Sequence, residues 1–148
     1  MGRKNVKCES AEVIRDCIAT RLRMANRVIT KVYDDALRPF GLKVTQLSML
    51  VLAVDRGLIH QSEVGAELQL DDSTLSRNLE RMRANGWLEE VSSDDARVHS
   101  YQLTEAGSAL LDKAIPVWRK AQTEAKRLLG DAGVQVLRRF AREQGFDA

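Results

Sequence analysis

The chain has 148 residues, 44% hydrophobic and 30% charged, with two prolines and a formal net charge of +2. This composition excludes a disordered chain, and the length predicts a single domain, 1–148, with an adequate core. No apolar run reaches the roughly 18 residues of a membrane span, and the N-terminus lacks the apolar core of a signal peptide. A chain with only two cysteines is typical of a reducing compartment. We therefore expect a cytoplasmic protein without a membrane partner.

The first predicted element is one long helix from Ala11 to Leu37. Pro39 ends it, because the residue before a proline avoids the α region. At 1.5 Å per residue the helix is about 40 Å long, which is more than a small lobe needs. Its apolar residues recur at spacings of three and four and are Ile14, Ile18, Leu22, Ala25, Ile29, Val32 and Ala36.

A helix-turn-helix is predicted in the middle of the chain. Ser62–Leu68 forms a short amphipathic run, and Gln69-Leu70 connects it tightly to a second helix. Asp71 or Asp72 caps that helix, and Asn85-Gly86 ends it. The second helix has an apolar seam of Leu75, Leu79 and Met82 and a polar seam of Thr74, Arg77, Asn78 and Arg81.

The polar seam is unusual in its choice of residues. Exposed helix positions are commonly Glu or Lys, which favour helix, whereas Ser73, Thr74, Ser76 and Asn78 stand here. Small polar side chains lower helix propensity but can bond to base edges or phosphates. The alternative is a solvated surface helix without a partner.

A β-ribbon follows the second helix. Trp87-Leu88 begins a strand, Ser92–Asp95 is a turn signal, and Val98–Leu103 returns with His99, Tyr101 and Leu103 at period two. A helix followed at once by a ribbon suits double-stranded DNA, since the helix can enter the major groove while the tip of the ribbon reaches a neighbouring groove.

A second long helix is predicted from Thr104, its cap, to Leu129, with a kink at Pro116. Gly130-Asp131 interrupts the chain before a last short helix. Apolar terminal helices on either side of a ribbon indicate pairing between two subunits. The alternative is that they cover only their own core.

These segments together resemble the winged helix-turn-helix of the MarR family of bacterial repressors. The resemblance rests on SEVGAELQLDDSTLSRNLERMRANGWLEE, the turn DDAR and the closing LTEAG, and covers about residues 11–145. It implies a mainly α fold with a small β-wing, in which a winged helix-turn-helix lobe (41–103) is flanked by helical dimerisation regions (8–38 and 104–148). It also implies a dimeric repressor that binds a pseudo-palindromic operator.

In this family the wing arginine enters the minor groove and the nearby aspartate helps to hold it, which assigns these roles to Arg97 and Asp95. The chain departs from the family pattern at two places. Relatives often have Gly where this chain has Gln69, and they often have a second basic residue in the wing turn, which this chain lacks. The predicted DNA-binding residues are Ser62, Asp72, Ser73, Thr74, Ser76, Arg77, Asn78, Arg81, Asp95, Arg97 and His99.

The net charge of the predicted DNA-binding lobe is negative, which argues against DNA binding. Residues 51–103 carry five basic and ten acidic side chains, whereas residues 1–50 carry ten and five. DNA-binding lobes are normally basic. We therefore expect the arginines of the lobe to cluster on the contact face, its glutamates to point elsewhere, and basic residues outside it to add phosphate contacts. The alternative function is a winged-helix module that binds a protein and not DNA.

The signal that would release such a repressor has two candidates. The resemblance implies a small aromatic ligand between the dimer helices and the lobe, where Met24, Val28, Tyr33, Met49 and Trp118 are candidate lining residues. It also implies an oxidant, because relatives that sense organic peroxides use a cysteine near Cys17. The alternatives are that the five residues are plain core and that Cys17 is a small buried hydrophobe.

Nothing in the chain indicates an enzyme. Its two histidines, His60 and His99, are isolated, and CxxC, HExxH, P-loop and GxGxxG motifs are absent. We expect no catalytic residue, no cofactor and no metal site.

Overall fold

The computed structural model describes residues 10–92 and 98–145, which form helices around one small antiparallel sheet. The mainly helical fold with a small wing is therefore confirmed. In chain order its elements are α1 (10–16), α2 (Ile18–Leu37), a 3-10 turn (Arg38–Phe40), α3 (Val44–Arg56), β1 (Leu58–His60), α4 (Gln61–Glu67), α5 (Asp72–Ala84), β2 (Leu88–Val91), β3 (Ser100–Leu103) and α6 (Glu105–Glu143).

The N-terminal helix is broken at Cys17, so the prediction of one continuous helix from Ala11 was wrong. Cys17 has extended dihedrals (φ −63°, ψ 112°) and is the N-cap of α2. Its carbonyl oxygen accepts the backbone N–H of Arg21 at 3.1 Å, which starts a new hydrogen-bonded ladder. The other end is as predicted: α2 stops at Leu37, and Pro39 lies in the 3-10 turn that follows.

The core lies between α3, α5, the sheet and the first half of α6. Leu37 is the only described residue of α2 that is fully buried in it, because α2 packs along α6 mainly with its C-terminal half. The apolar seam predicted for the second helix of the helix-turn-helix is confirmed. The buried hydrophobic residues of the central cluster include Leu37, Leu42, Leu47, Met49, Leu50, Ala53, Ile59, Val64, Leu75, Leu79, Met82, Leu88, Leu111 and Ala114.

The sheet has the order β1-β3-β2, with both pairings antiparallel. Ile59 faces Tyr101 across the first pairing, and Leu88 faces Leu103 across the second. Strand β1 was not predicted, because three residues are too short for an alternating pattern and it is a strand only through its pairing with β3. That pairing places the start of α4 beside the base of the wing.

Helix α6 begins as predicted, with the Thr104 hydroxyl accepting the Gly107 N–H at 3.0 Å. It runs through Pro116 with helical dihedrals and is interrupted only at Gly130 (φ 67°, ψ 164°). The predicted break at Gly130 is confirmed, and the kink expected at Pro116 is not observed as a break. Pro116 is exposed, so water can satisfy the carbonyl oxygen that a proline leaves without an intrahelical donor.

Within the described residues, no helix is by itself long and apolar enough to cross a membrane. The segments Ile18–Phe40 and Val44–Arg56, bent by 73°, meet the length and composition requirements only as a pair.

Gly107 allows α6 to start close against the lobe. A Cβ atom at this position would overlap the carbonyl oxygen of Trp87 and lie 2.7 Å from Cδ1 of Leu103. The same Trp87 oxygen accepts the Thr104 hydroxyl at 3.1 Å. The Thr104–Gly107 pair therefore joins the first turn of α6 to the residue before β2.

We expect Gly107→Ala to lower the free energy of unfolding by about 1–3 kcal/mol, the usual effect of forcing a methyl group into a closely packed site. Thermal and urea unfolding followed by circular dichroism would measure the change. Gly133→Ala in the same helix is the matched control, since its Cβ would make only ordinary contacts, the nearest at 3.4 Å. Equal unfolding midpoints for the two variants would contradict the proposed role of Gly107.

Candidate nucleic-acid interface

Asp71 organises the N-terminus of α5. Its carboxylate accepts the backbone N–H of Thr74 at 2.8 Å and the hydroxyls of Ser73 and Thr74 at 2.6 and 2.7 Å. The hydrogen bonds from Ser73 and then Thr74 hold the pKa of Asp71 well below its usual range. Of the two caps that the sequence allowed, Asp71 is therefore the one used, and Asp72 is left exposed at the first position of the helix.

The polar seam of α5 faces away from the core. Leu75, Leu79 and Met82 are each no more than 1% exposed, so the opposite side of the helix must face solvent. On that side Ser73, Ser76, Arg77 and Arg81 are exposed, whereas Thr74 and Asn78 are half-buried. Six of the eleven residues predicted to contact DNA thus lie on the side of α5 that faces away from its buried seam.

Several of these side chains are held by bonds to nearby backbone or side-chain atoms. Arg77 donates from Nε to the carbonyl oxygen of Ser73 at 3.0 Å, and Asn78 donates to that of Thr74 at 2.9 Å. The Ser76 hydroxyl accepts from Gln61 in the first turn of α4 at 3.1 Å. The terminal nitrogens of Arg77 have no bond within the described part of the chain, so they can reach outwards.

The connection between α4 and α5 is tight enough to require a left-handed residue. Gln69 has φ +51° and is the only described residue other than glycine with a positive φ. Its side chain donates to the carbonyl oxygen of Ala66 at 2.6 Å. A side chain is strained in this conformation, which is a physical reason for the glycine that the resemblance implies at this position.

A concave surface of about 760 Å³ opens between α4, the start of α5 and the base of the wing. It is open to solvent. Three predicted DNA-binding residues, Ser62, Asp72 and His99, line it together with Gln69 and its neighbours.

At the base of the wing His99 is part of a hydrogen-bonded network. Its Nδ1 lies 2.9 Å from Glu90, whose other oxygen accepts from Arg83 at 2.5 Å. The hydrogen bond from His99, followed by the charge of Arg83, lowers the pKa of Glu90. Glu90 therefore joins His99, at the base of the wing, to Arg83 near the end of α5. The predicted wing residues Asp95 and Arg97 lie outside the described residues.

Three glutamates of the lobe are engaged at positions away from the polar seam of α5. Glu67 pairs with Arg56, Glu90 with Arg83, and Glu89 accepts from Gln102 at 2.5 Å. These three glutamates do not lie on the polar seam of α5, whereas exposed Glu80 lies on α5 three residues beyond Arg77.

The five residues predicted to line a ligand crevice differ in their burial. Met49 is fully buried in the core, and Met24 and Val28 are exposed, 65% and 56%, on α2. Half-buried Tyr33 donates its hydroxyl to Gln122 of α6. Helical spacing alone could not show which side of each helix the core covers.

Trp118 instead lines an apolar groove of about 420 Å³ between α3 and α6. The remaining lining residues are Leu47, Ser48, Val51, Leu52, Leu68 and Ile115. No local sequence pattern identifies these residues, because they come from three separated segments that only the packing of α3 against α6 brings together.

Cys17 is partly exposed at the break between α1 and α2. Hydrogen bonds from the side chain and backbone of Thr20 lower the pKa of its thiol, with a smaller contribution from the charge of Arg23. This placement differs from a fully buried small hydrophobe, since the thiol is accessible to solvent.

Comparison with known proteins gives consistent results. A model of the MarR family matches residues 40–97. Two relatives are from Bacillus subtilis. The organic hydroperoxide resistance transcriptional regulator is 30% identical over 97 residues, which are 65% of this chain and 66% of the relative. The HTH-type transcriptional regulator YwoH is 29% identical over 85 residues, which are 57% of this chain and 62% of the relative. The matches thus span about two thirds of the length of these relatives.

A solved structure is similar over a larger part of the chain. The transcriptional regulator MosR of M. tuberculosis, crystallised in complex with DNA, is 38% identical, with coverage of 86% of this chain and 92% of MosR and a TM-score of 0.75.

We expect Asp71→Ala to lower the melting temperature more than Asp71→Asn, because only the amide can still accept a backbone N–H. The Asp71 pKa is lower in the folded state than in the unfolded chain, so its charge stabilises the fold above about pH 4, and this contribution is lost as the pH falls through the folded pKa. The difference between the wild type and Asp71→Asn should therefore shrink in acid. Asp72→Asn is the control, and a pH-independent difference for Asp71→Asn would contradict the assignment.

Proposed function

The chain belongs to the MarR family, and from this premise we propose that it is a dimeric transcriptional repressor that binds a pseudo-palindromic DNA operator in the cytoplasm. The observation that carries the proposal is the polar face of α5. The helix is capped at its N-terminus by Asp71, and three of its residues are buried in the core. Its opposite side exposes Ser73, Ser76, Arg77 and Arg81. The DNA complex of MosR supports the same partner for this chain.

In the proposed complex α5 enters the major groove. The Arg77 guanidinium is suited to bidentate bonds with guanine, and Ser76 to either base edge. Arg97 of the wing enters the neighbouring minor groove, where it adds affinity with little sequence preference. We propose that the protein acts through binding alone and has no catalytic activity.

The homodimer is supported by apolar side chains that the single chain leaves uncovered. They lie on α1 and the start of α2 and on the last part of α6, on both sides of the lobe. Ile14, Ile18 and Leu22 are 79%, 67% and 56% exposed, and Phe140 is 56% exposed. Pairing of these regions would bury them and place two α5 helices about 34 Å apart, one turn of DNA.

For release from DNA we propose two alternatives. The Trp118 groove is apolar and of a size suited to a small aromatic molecule. Cys17 is accessible and has a lowered thiol pKa, which supports an oxidant, as does the similarity to a hydroperoxide resistance regulator. Operator binding with and without peroxide, in the wild type and in Cys17→Ser, distinguishes these alternatives.

We expect light scattering at micromolar concentration to give the mass of two chains, and a mobility-shift assay to show binding to the intergenic region upstream of the protein's own gene. A monomeric mass would contradict the dimer. Failure to bind that region, followed by failure to select any sequence from random DNA, would favour a winged-helix module that binds a protein.

We expect Arg77→Ala to change the preference at one base position of each half-site by about 1–3 kcal/mol, and Arg97→Ala to weaken binding to all sequences by a similar factor. Anisotropy titrations against the operator and its single-base variants would separate the two effects. Arg119→Ala, an exposed arginine on α6, is the control. Unchanged affinity for Arg97→Ala would show that the wing has no part in binding.

A further inference from the structure

A second polar groove, of about 830 Å³, lies between α2, the start of α3 and the C-terminal half of α5. It is lined by more basic than acidic side chains, with only Asp34 and Asp35 opposing the cations. The six cations are Arg23, Arg27, Lys31, Arg38, Lys43 and Arg81.

Both aspartates of this basic groove are already engaged. Asp34 accepts the backbone N–H of Val44 at 2.9 Å and so caps α3. Asp35 pairs with Lys31 at 2.6 Å and with Arg38. The other four cations have no ion pair within the described residues, which leaves their charge available to an anion.

The basic groove is continuous with the proposed DNA-binding face. Arg81 lines the groove and also lies one helical turn beyond Arg77 and seven residues beyond Thr74 on the polar seam of α5. An α-helix with its side chains is about 10–12 Å in diameter, and the major groove is about 12 Å wide. A helix that fills the groove therefore meets the phosphates of both walls with its flanks, and on one flank of α5 those phosphates would face the basic groove.

We infer that the basic groove binds backbone phosphates of the same operator, next to the half-site read by α5. This inference rests on the proposed function. Arg23, Arg27 and Lys31 follow one another along α2 at intervals of four residues, a row of about 12 Å. Such a row suits an extended polyanion better than a single small carboxylate. It also supplies the positive charge that a lobe with ten acidic residues lacks.

The test is the salt dependence of operator binding, measured by fluorescence anisotropy between 50 and 200 mM NaCl. The variant Arg27→Gln/Lys43→Gln removes two unpaired cations of the groove. Arg119→Gln/Lys120→Gln removes the same charge from exposed positions on α6 outside it. The slope of log K against log salt should become shallower by about 0.9 for each phosphate that is no longer neutralised. A dimer of the groove variant lacks two cations in each chain, so its slope should become shallower by up to about 3.6. The slope of the control variant should equal that of the wild type. The preference for operator over scrambled DNA should persist, because phosphates carry no sequence information.

The outcomes separate this inference from the proposed function. If the wild type binds no DNA, the proposed function itself fails. If the wild type binds and the groove variant has the same slope, the inference is overturned. It is equally overturned if the groove variant retains the slope but loses a response of DNA binding to added benzoate, which would assign the groove to a small anion. Should the double variant melt at a lower temperature, Arg27→Gln alone, at an exposed site on α2, provides the same test.

Discussion

The orientation of α5 depends on the burial of one side of that helix. Leu75, Leu79 and Met82 are withdrawn from water almost completely, and each contributes about 1.5–3 kcal/mol when buried. A rotation of α5 by one residue, about 100° around its axis, would bring these side chains into solvent and the polar seam into the core. The same contacts that stabilise the lobe therefore determine which residues are presented to a partner, and Asp71 and Asn85 delimit the helix at its two ends.

The features that sequence could predict are those encoded within one or two helical turns. The seam of α5, the caps at Asp71 and Thr104, and the interruption at Gly130 each arise from the chemistry of neighbouring residues, and each is found in the structure. The candidate interface on α5 followed for the same reason, since the side opposite a buried seam must be exposed.

The features that sequence could not predict depend on distant parts of the chain. Strand β1 exists only through its pairing with β3, some forty residues later in the chain. The helix break at Cys17 has no proline or glycine by which the sequence could predict it. The prediction of a ligand crevice depends on distant packing in a related way, and it stays a prediction. Its five residues had suitable spacing, but the packing of α3 against α6 buried Met49, left Met24 exposed and gathered a different set around Trp118.

The charge of the lobe illustrates why net values mislead at an interface. An acidic side chain opposes DNA only if its field reaches the contact surface, and Glu67 and Glu90 are each neutralised by an adjacent cation. Arg81, in contrast, lies where the polar seam of α5 meets the basic groove formed with α2. The electrostatic attraction to a phosphate backbone then comes from a helix outside the lobe as well as from α5. Since α2 also leads into the apolar region where two chains would pair, a change in that pairing would move the phosphate contacts and the reading helix together.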